Sequence, residues 1–327
     1  MAGFLTDHGP HDWPTLTYGG VMSFGRAPYS RQLDDVAIAI LGLPLDLATT
    51  GRSGAREGPN AVRTESAKLS ELPSFPHGVD PIRTRRIVDC GDLAFDTNRA
   101  GSFLPAALDA AREIVATGTR ILGLGGDHFI SYPLVRAAAE RHGAPLALVH
   151  FDAHTDTWPD DGERMDHGSM FRRAVDEGLV DPAVSSQIGI RTWNDDTMGF
   201  DVIDAPWVHQ HGPAATVARV RERVGTHPCY LTFDIDCLDP AFAPGTGTPV
   251  AGGPSSAKIL SVLRKLGALD IRGADVVEVA PAYDHADITA IAGATVAMYM
   301  LGLRAERLAR GRAAGTGPSG PDIGLRD

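Results

Sequence analysis

Short apolar runs alternate with longer amphipathic segments along most of this chain, and that alternation leaves few ways for it to fold. The runs are Val36–Leu41, Arg86–Val88, Arg120–Leu124, Ala147–Phe151, Gln187–Ile190, Tyr230–Phe233 and Asp275–Val279. Each is short enough for a strand and apolar enough to be covered on both faces. Helical periodicity occupies 59–70, 103–117, 132–142, 168–177, 214–224, 255–266 and 287–307. Pro59 stands where a first helical turn accepts it, and Ser255-Ser256 offers a cap for the sixth helix. This order predicts an α/β fold, a mostly parallel sheet with helices on both faces. No repeat or low-complexity linker divides the chain, so one domain is expected over 35–307. Residues 1–34, polar and rich in Gly and Pro, read as an extended arm. Residues 308–327, without periodicity, read as a disordered tail.

Ligands of open α/β sheets gather at the carboxyl ends of the strands, and the chemically active side chains of this sequence fall there. His150-Phe151-Asp152-Ala153-His154-Thr155-Asp156 begins where the run Ala147–Val149 ends. Alternate residues of an extended chain share a face, so Asp152, His154 and Asp156 can converge. Asp234 and Asp236 share a face after Tyr230–Thr232. Gly125-Gly126-Asp127-His128 follows Arg120–Leu124, with glycines that let the backbone turn sharply. One Asp-x-His pair is usually a turn or a cap; three such clusters at three strand ends are not. Four carboxylates and two imidazoles packed together would repel and take up protons. Two divalent cations remove that conflict and describe a two-metal hydrolytic site. Zn²⁺ would favour more His and Cys. The oxygen-rich set favours Mn²⁺, with Co²⁺, Ni²⁺ or Fe²⁺ as alternatives.

Composition narrows the partners. The 327 residues carry a formal net charge of −11, which argues against a nucleic-acid or membrane-surface role and suits a cationic small molecule. Three unpaired cysteines, Cys90, Cys229 and Cys237, point to a reducing compartment and exclude a zinc ribbon or thioredoxin-type pair. Cys237, beside Asp236, reads as a buried spacer rather than a nucleophile. With no signal-like start and no apolar run of ~18 residues, a cytoplasmic protein is expected. Gly123–Asp127 completes neither a dinucleotide fingerprint nor a P-loop.

The stretches GGDHFISYP (125–133), HFDAHTDTW (150–158), MDHGSMF (165–171), TFDIDCLDPAFAPGTGTPVAGG (232–253) and DVVEVAP (275–281) resemble the ureohydrolases. That family includes arginase, agmatinase, guanidinobutyrase, guanidinopropionase, proclavaminate amidinohydrolase and formiminoglutamase. The resemblance covers about residues 35–305, and GRSGAREGPNAVR (51–63), VDCGDL (88–93) and APAYD (280–284) draw it nearest the bacterial agmatinases. It implies a three-layer α/β/α sandwich around a parallel eight-stranded sheet, a homo-oligomer (trimer or hexamer) and a dimanganese centre. By resemblance, His128, Asp152, Asp156 and Asp234 would hold one ion. Asp152, His154, Asp234 and Asp236 would hold the other, with Asp152 and Asp234 bridging. Asp156 would also orient the attacking water, His167 would shuttle protons, and Glu278 would receive the substrate guanidinium. Thr248 is a further candidate contact near that group.

Every member of the family cleaves the same group, so the substrate's far end must be read elsewhere. Arginases carry an Asn where this chain has Trp158, which disfavours a free amino acid and makes Trp158 a candidate tail contact. The loop Trp158–Arg164 is net acidic and suits the second cation of agmatine, cleaved to putrescine and urea. A carboxylate-tailed guanidine would instead need a cation, which Arg164, Arg52 or Arg56 could supply. A non-catalytic binding subunit is the remaining alternative, opposed by the presence of all six ligand candidates together with His167 and Glu278.

Overall fold

A computed structural model describes residues 18–314 except 71–72, 76–77, 79 and 85, with the backbone alone for 83–84, 100 and 304–314. Eight strands form one sheet: β1 (Ile38–Leu43), β2 (Ile87–Asp92), β3 (Arg120–Gly125), β4 (Ala147–Phe151), β5 (Ser186–Ile188), β6 (Asp201–Ile203), β7 (Pro228–Asp234) and β8 (Asp270–Val277). Their order is β2-β1-β3-β8-β7-β4-β5-β6, and every pairing between them is parallel. The helices are α1 (Gly58–Ser66), α2 (Pro81–Thr84), α3 (Phe103–Ala116), α4 (Ser131–His142), α5 (Met170–Asp176), α6 (Ala205–Val224), α7 (Ser256–Leu263) and α8 (Ile288–Ala314).

Parallel strands need crossovers, and helices placed there cover both faces of the sheet. Alternation along β1 shows the two layers. Ile38 and Ile40 join the core under α1, α6, α7 and α8, whereas Ala39 and Leu41 join the core under α3, α4 and α5. The result is the expected three-layer α/β/α sandwich.

Departures from the sequence reading have local causes. β6 carried no apolar run; it is a three-residue edge strand in which Asp201 and Val202 are partly buried and Ile203 is buried. β8 starts at Asp270, five residues before its apolar stretch, because Gly273 lets the strand pass against the Tyr230 ring. It stops at Val277 because Glu278 is left-handed (φ 64°). α6 begins at Ala205, where the Asp204 side chain caps Trp207 N, and breaks at Gly212-Pro213, just before the expected start at 214. Ser255 caps α7 as expected. The described part of the N-terminal arm is packed rather than extended: Phe24 is buried, its N–H donates to Asp89, and Tyr29 bridges β2. Residues 1–17 lie outside the described residues. α8 runs to Ala314, into the stretch expected as a tail, and 315–327 lie outside the described residues. No helix among the described residues is long and apolar enough to cross a membrane.

Candidate active site

Four adjacent strands, β3, β8, β7 and β4, end at one buried cluster. After β3, Gly126 passes so close to Leu43 and Leu45 that a Cβ would lie 2.4 Å from a carbonyl oxygen, so only glycine fits. The chain then turns under an Asp127 cap into a short 3₁₀ turn, His128–Ile130. Asp127 also accepts the N–H groups of Leu47 and Ala48, which holds the 45–50 loop over the site. β4 ends at Phe151, and a bend at 153–154 followed by a left-handed Asp156 (φ 53°), rather than the extended chain expected from the spacing, brings Asp152, His154 and Asp156 to the cluster. After β7, Asp234 caps the turn containing Asp236.

His128 Nδ1 faces three carboxylate oxygens: Asp156 Oδ2 at 2.9 Å, Asp152 Oδ2 at 3.1 Å and Asp234 Oδ2 at 3.2 Å. The opposite nitrogen, Nε2, lies 2.8 Å from the Thr232 hydroxyl, which donates to Asp275 at 2.6 Å. A hydroxyl that gives its hydrogen to Asp275 accepts from the ring, so the His128 proton belongs on Nε2. Nδ1 then presents a lone pair to three anionic oxygens, and it is buried without a hydrogen-bond partner. A lone pair and three carboxylate oxygens converging on one buried point fit a cation. A second group lies alongside: His154 Nδ1 stands 3.3 Å from Asp152 Oδ1 and 3.2 Å from Asp236 Oδ2. Asp152 thus offers one oxygen to each group. Asp234 faces the His128 group through Oδ2, while its Oδ1 accepts the Asp236 N–H.

The electrostatics agree with a cation-binding role. Burial and the neighbouring carboxylates push Asp234 and Asp236 up, and Asp156 to about 6. Against the lowering effect of burial, Asp152 and Asp236 push His154 up to about 12. Asp156, Asp234 and Asp236 thus lean toward their protonated forms, whereas, against the raising effect of burial, the surrounding imidazoles hold Asp152 well below its ordinary value; positive charge at the two groups would favour the ionised form of all four.

Glu278 leaves β8 in a left-handed turn that aims its carboxylate back over His128. Its Oε1 accepts the His128 N–H and the His167 Nδ1–H, both at 2.8 Å. Oε2 is buried and has no partner. Thr49 Oγ1 is also buried without a partner. A Cβ on Gly247 would stand 3.2 Å from that Oε2 and 3.4 Å from that hydroxyl, so the glycine keeps a slot open between two free acceptors. His167 Nε2 faces Thr50, whose N–H lies at 3.0 Å and whose hydroxyl lies at 2.8 Å. The N–H suits a neutral ring, and the hydroxyl can accept from a charged one. Against the lowering effect of burial, the Glu278 hydrogen bond and charge push His167 up to about 9.

The other expected residues have definite places. The Thr248 hydroxyl donates to Asp236 Oδ2 at 3.1 Å, so it bears on that carboxylate. The Trp158 indole is tilted beside the His154 ring at 6.4 Å, in the loop that borders the cluster. That loop's acids are mostly spoken for: Asp160 is paired with Arg173, and Asp161 accepts the N–H groups of Glu163 and Arg164. Arg56 lies 3.4 Å from Asp46, and Arg52 stacks over Tyr283. Cys237 is buried with its thiol pushed up by that burial, which suits a spacer.

Sequence reasoning missed several neighbours. Thr232, Asp275 and Asp127 lie in or beside the quoted motifs, but only the pairing of strands shows what they touch. Arg191 gathers the carbonyls of Gly189, Asp236, Cys237, Leu238 and Val250 and so clamps the turn that carries Asp236. His150 did leave a signal, since it belongs to the same alternation as Asp152, His154 and Asp156.

Comparison with known proteins adds independent support. The sequence model of the Arginase family matches residues 36–302. An agmatinase of Chromobacterium violaceum is 54% identical over 286 residues, 87% of this chain and 89% of that protein. The crystal structure of a hypothetical agmatinase from Burkholderia thailandensis superposes with a TM-score of 0.89 at 56% identity, covering 90% of this chain and 94% of that one. Proclavaminate amidino hydrolase from Streptomyces clavuligerus gives a TM-score of 0.84 at 38% identity, covering 89% and 99%. A parallel sheet with a buried Asp–His cluster at its carboxyl edge, together with these likenesses, defines an amidinohydrolase. The chain belongs to the arginase family.

Proposed function

We propose that this enzyme hydrolyses agmatine to putrescine and urea with two Mn²⁺ ions. The observation that selects agmatine is the 54% identity to the Chromobacterium agmatinase across nearly nine-tenths of both chains. His128, Asp152, Asp156 and Asp234 would hold one ion, and Asp152, His154, Asp234 and Asp236 the other. When bound, the ions supply Lewis acidity and make hydroxide available near neutral pH.

The chain's own residues do the rest. The free Glu278 Oε2 receives the guanidinium, and its direction is fixed because Oε1 is tethered to His128 N and His167. A planar cation paired with a fixed carboxylate is oriented as well as attracted. Asp156 accepts a hydrogen bond from the attacking water and turns its lone pair toward the guanidinium carbon. The leaving amine needs a proton, which His167 provides, with Thr50 serving both charge states of the ring. Trp158 walls the aliphatic chain. Glu163 is the loop acid left to meet the distal cation. The same reading has the enzyme cytoplasmic, consistent with three free, buried cysteines, and a homo-oligomer, trimer or hexamer.

A second reading, a carboxylate-tailed guanidine, is favoured by the likeness to proclavaminate amidino hydrolase and by Arg164, which is more than half exposed in the loop. Steady-state kinetics with agmatine, arginine, 4-guanidinobutanoate and 3-guanidinopropanoate separates the two. Agmatine is expected to have the highest kcat/KM; a carboxylate-tailed compound in first place would overturn the assignment.

A further inference from the structure

His150 lies on β4, wholly buried, with Nε2 2.7 Å from Asp152 Oδ2. Taken alone, that contact has two meanings. The nitrogen could carry a proton and donate to Asp152. It could instead carry a lone pair and share a cation with Asp152 and Asp156, whose Oδ2 is 4.0 Å away.

The neighbouring strand decides between them. Gln187 pairs with His150 in the register of β4 and β5, and it too is wholly buried. Its side-chain Nε2 lies 2.6 Å from the Thr155 carbonyl and 3.2 Å from His150 Nδ1. A carbonyl only accepts, so the amide must present its NH₂ group; the flipped amide would set two oxygens against each other. The second amide hydrogen then points at Nδ1, which must hold the lone pair of the ring. The proton of the neutral ring is therefore on Nε2.

We infer that Gln187 and His150 form a positioning relay for Asp152, in which His150 is a hydrogen-bond donor and not a further metal ligand. The Thr155 carbonyl orients the amide, the amide fixes the tautomer, and the tautomer sets Asp152, which turns one oxygen toward each group. Gln187 has a second hold on the site. Thr155 lies between His154 and Asp156, and Asp156 is itself left-handed (φ 53°), a conformation that persists only when its surroundings enforce it. Phe171 packs edge-on against both His150 and His128, at 4.8 and 5.3 Å between ring centres, and closes the back of the relay.

The inference rests on reading the cluster as a metal site, and its test separates the two. Mn²⁺ binding to metal-stripped protein is measured by equilibrium dialysis. His150→Gln sets an amide N–H near the place of Nε2 but makes a poor metal ligand; His150→Phe removes the donor. His150→Gln should bind the same number of ions as the unmodified protein, within about threefold in affinity, and His150→Phe should bind them about 10–100-fold more weakly. Gln187→Leu should weaken binding by about 3–10-fold and supplies the same reading if His150→Phe does not fold. In metal-free protein carrying ¹⁵N-histidine, the His150 signals should report Nε2–H, becoming a tautomer mixture in Gln187→Leu. Loss of an ion in His150→Gln would make His150 a ligand and overturn the inference. Unchanged affinity in His150→Phe, or in Gln187→Leu if His150→Phe does not fold, would overturn it as well. Failure of the unmodified protein to bind Mn²⁺ at all would instead overturn the metal-site reading.

Discussion

His167 is held on both sides, by Glu278 at Nδ1 and by Thr50 at Nε2. The ring that is to supply a proton is thus also one of the two tethers of the carboxylate that is to bind the guanidinium. His167→Ala should lower kcat by about 10²–10⁴, the usual worth of a positioned acid, with metal content unchanged. Parallel steady-state and metal analyses check this, and a loss confined to KM would reduce His167 to a substrate contact. At this scale the sequence was most informative where chemistry repeats with a period of two. Asp152, His154 and Asp156 were legible from their spacing, but the path that joins them was not, because β4 ends at Phe151 and a bend with a left-handed Asp156 does the work the spacing assigned to a strand. Thr248 was legible as a residue of the site but not as a donor to Asp236, because that contact joins two loops twelve residues apart whose paths the sequence does not dictate. Gln187 gave no signal, since its importance depends on the register between β4 and β5.

The loop 157–166 shows how an element can use up the charges that composition assigns to function. Asp160 and Arg173 form a bidentate pair, both side chains at least nine-tenths buried, which ties the loop to α5. Burial alone would raise the Asp160 carboxyl, but the Arg173 hydrogen bonds and the Gly162 N–H hold it below its ordinary value. A carboxylate lowered in the folded state contributes stability above the unfolded value of about 3.9, and that stability is lost as pH falls through the lower folded value. Asp160→Asn should therefore cost about 1–3 kcal/mol near neutral pH, and the gap in thermal midpoint should close below about pH 4. A gap that persists undiminished at pH 3 would mean that packing, not charge, is the origin. Element boundaries were legible where a local rule acts, as with Ser255 capping α7 or Pro213 breaking α6. β6 was not, because an edge strand of three residues needs no apolar run.

Across the molecule, the Asp–His cluster brings four buried carboxylates, Asp152, Asp156, Asp234 and Asp236, beside His128 and His154. An ion that binds only the folded chain stabilises it by about 2.7 kcal/mol at a hundredfold excess over Kd. With about 2.1 cal/mol/K of unfolding entropy per residue, that is a rise of about 4 °C for 327 residues. Chelation should lower the thermal midpoint by that order, and Mn²⁺ should restore it in scanning calorimetry; equal midpoints with and without chelator would speak against a resident ion.

Strand order has one more consequence, for how the chain is made. β8 is the last strand synthesised, yet it lies between β3 and β7. Without β8 the strand order leaves two half-sheets, β2-β1-β3 and β7-β4-β5-β6, each with a bare edge where the other should be. His128 belongs to one half, and the four clustered carboxylates to the other. Glu278, at the end of the missing strand, is the residue whose backbone and side chain both reach across to the first half, through Gly126 O and His128 N. Capture of an ion at the His128 group would therefore wait for β8, whereas Asp152, His154 and Asp236 all lie in the second half; a chain truncated before β8 should keep that second group together and lose the first.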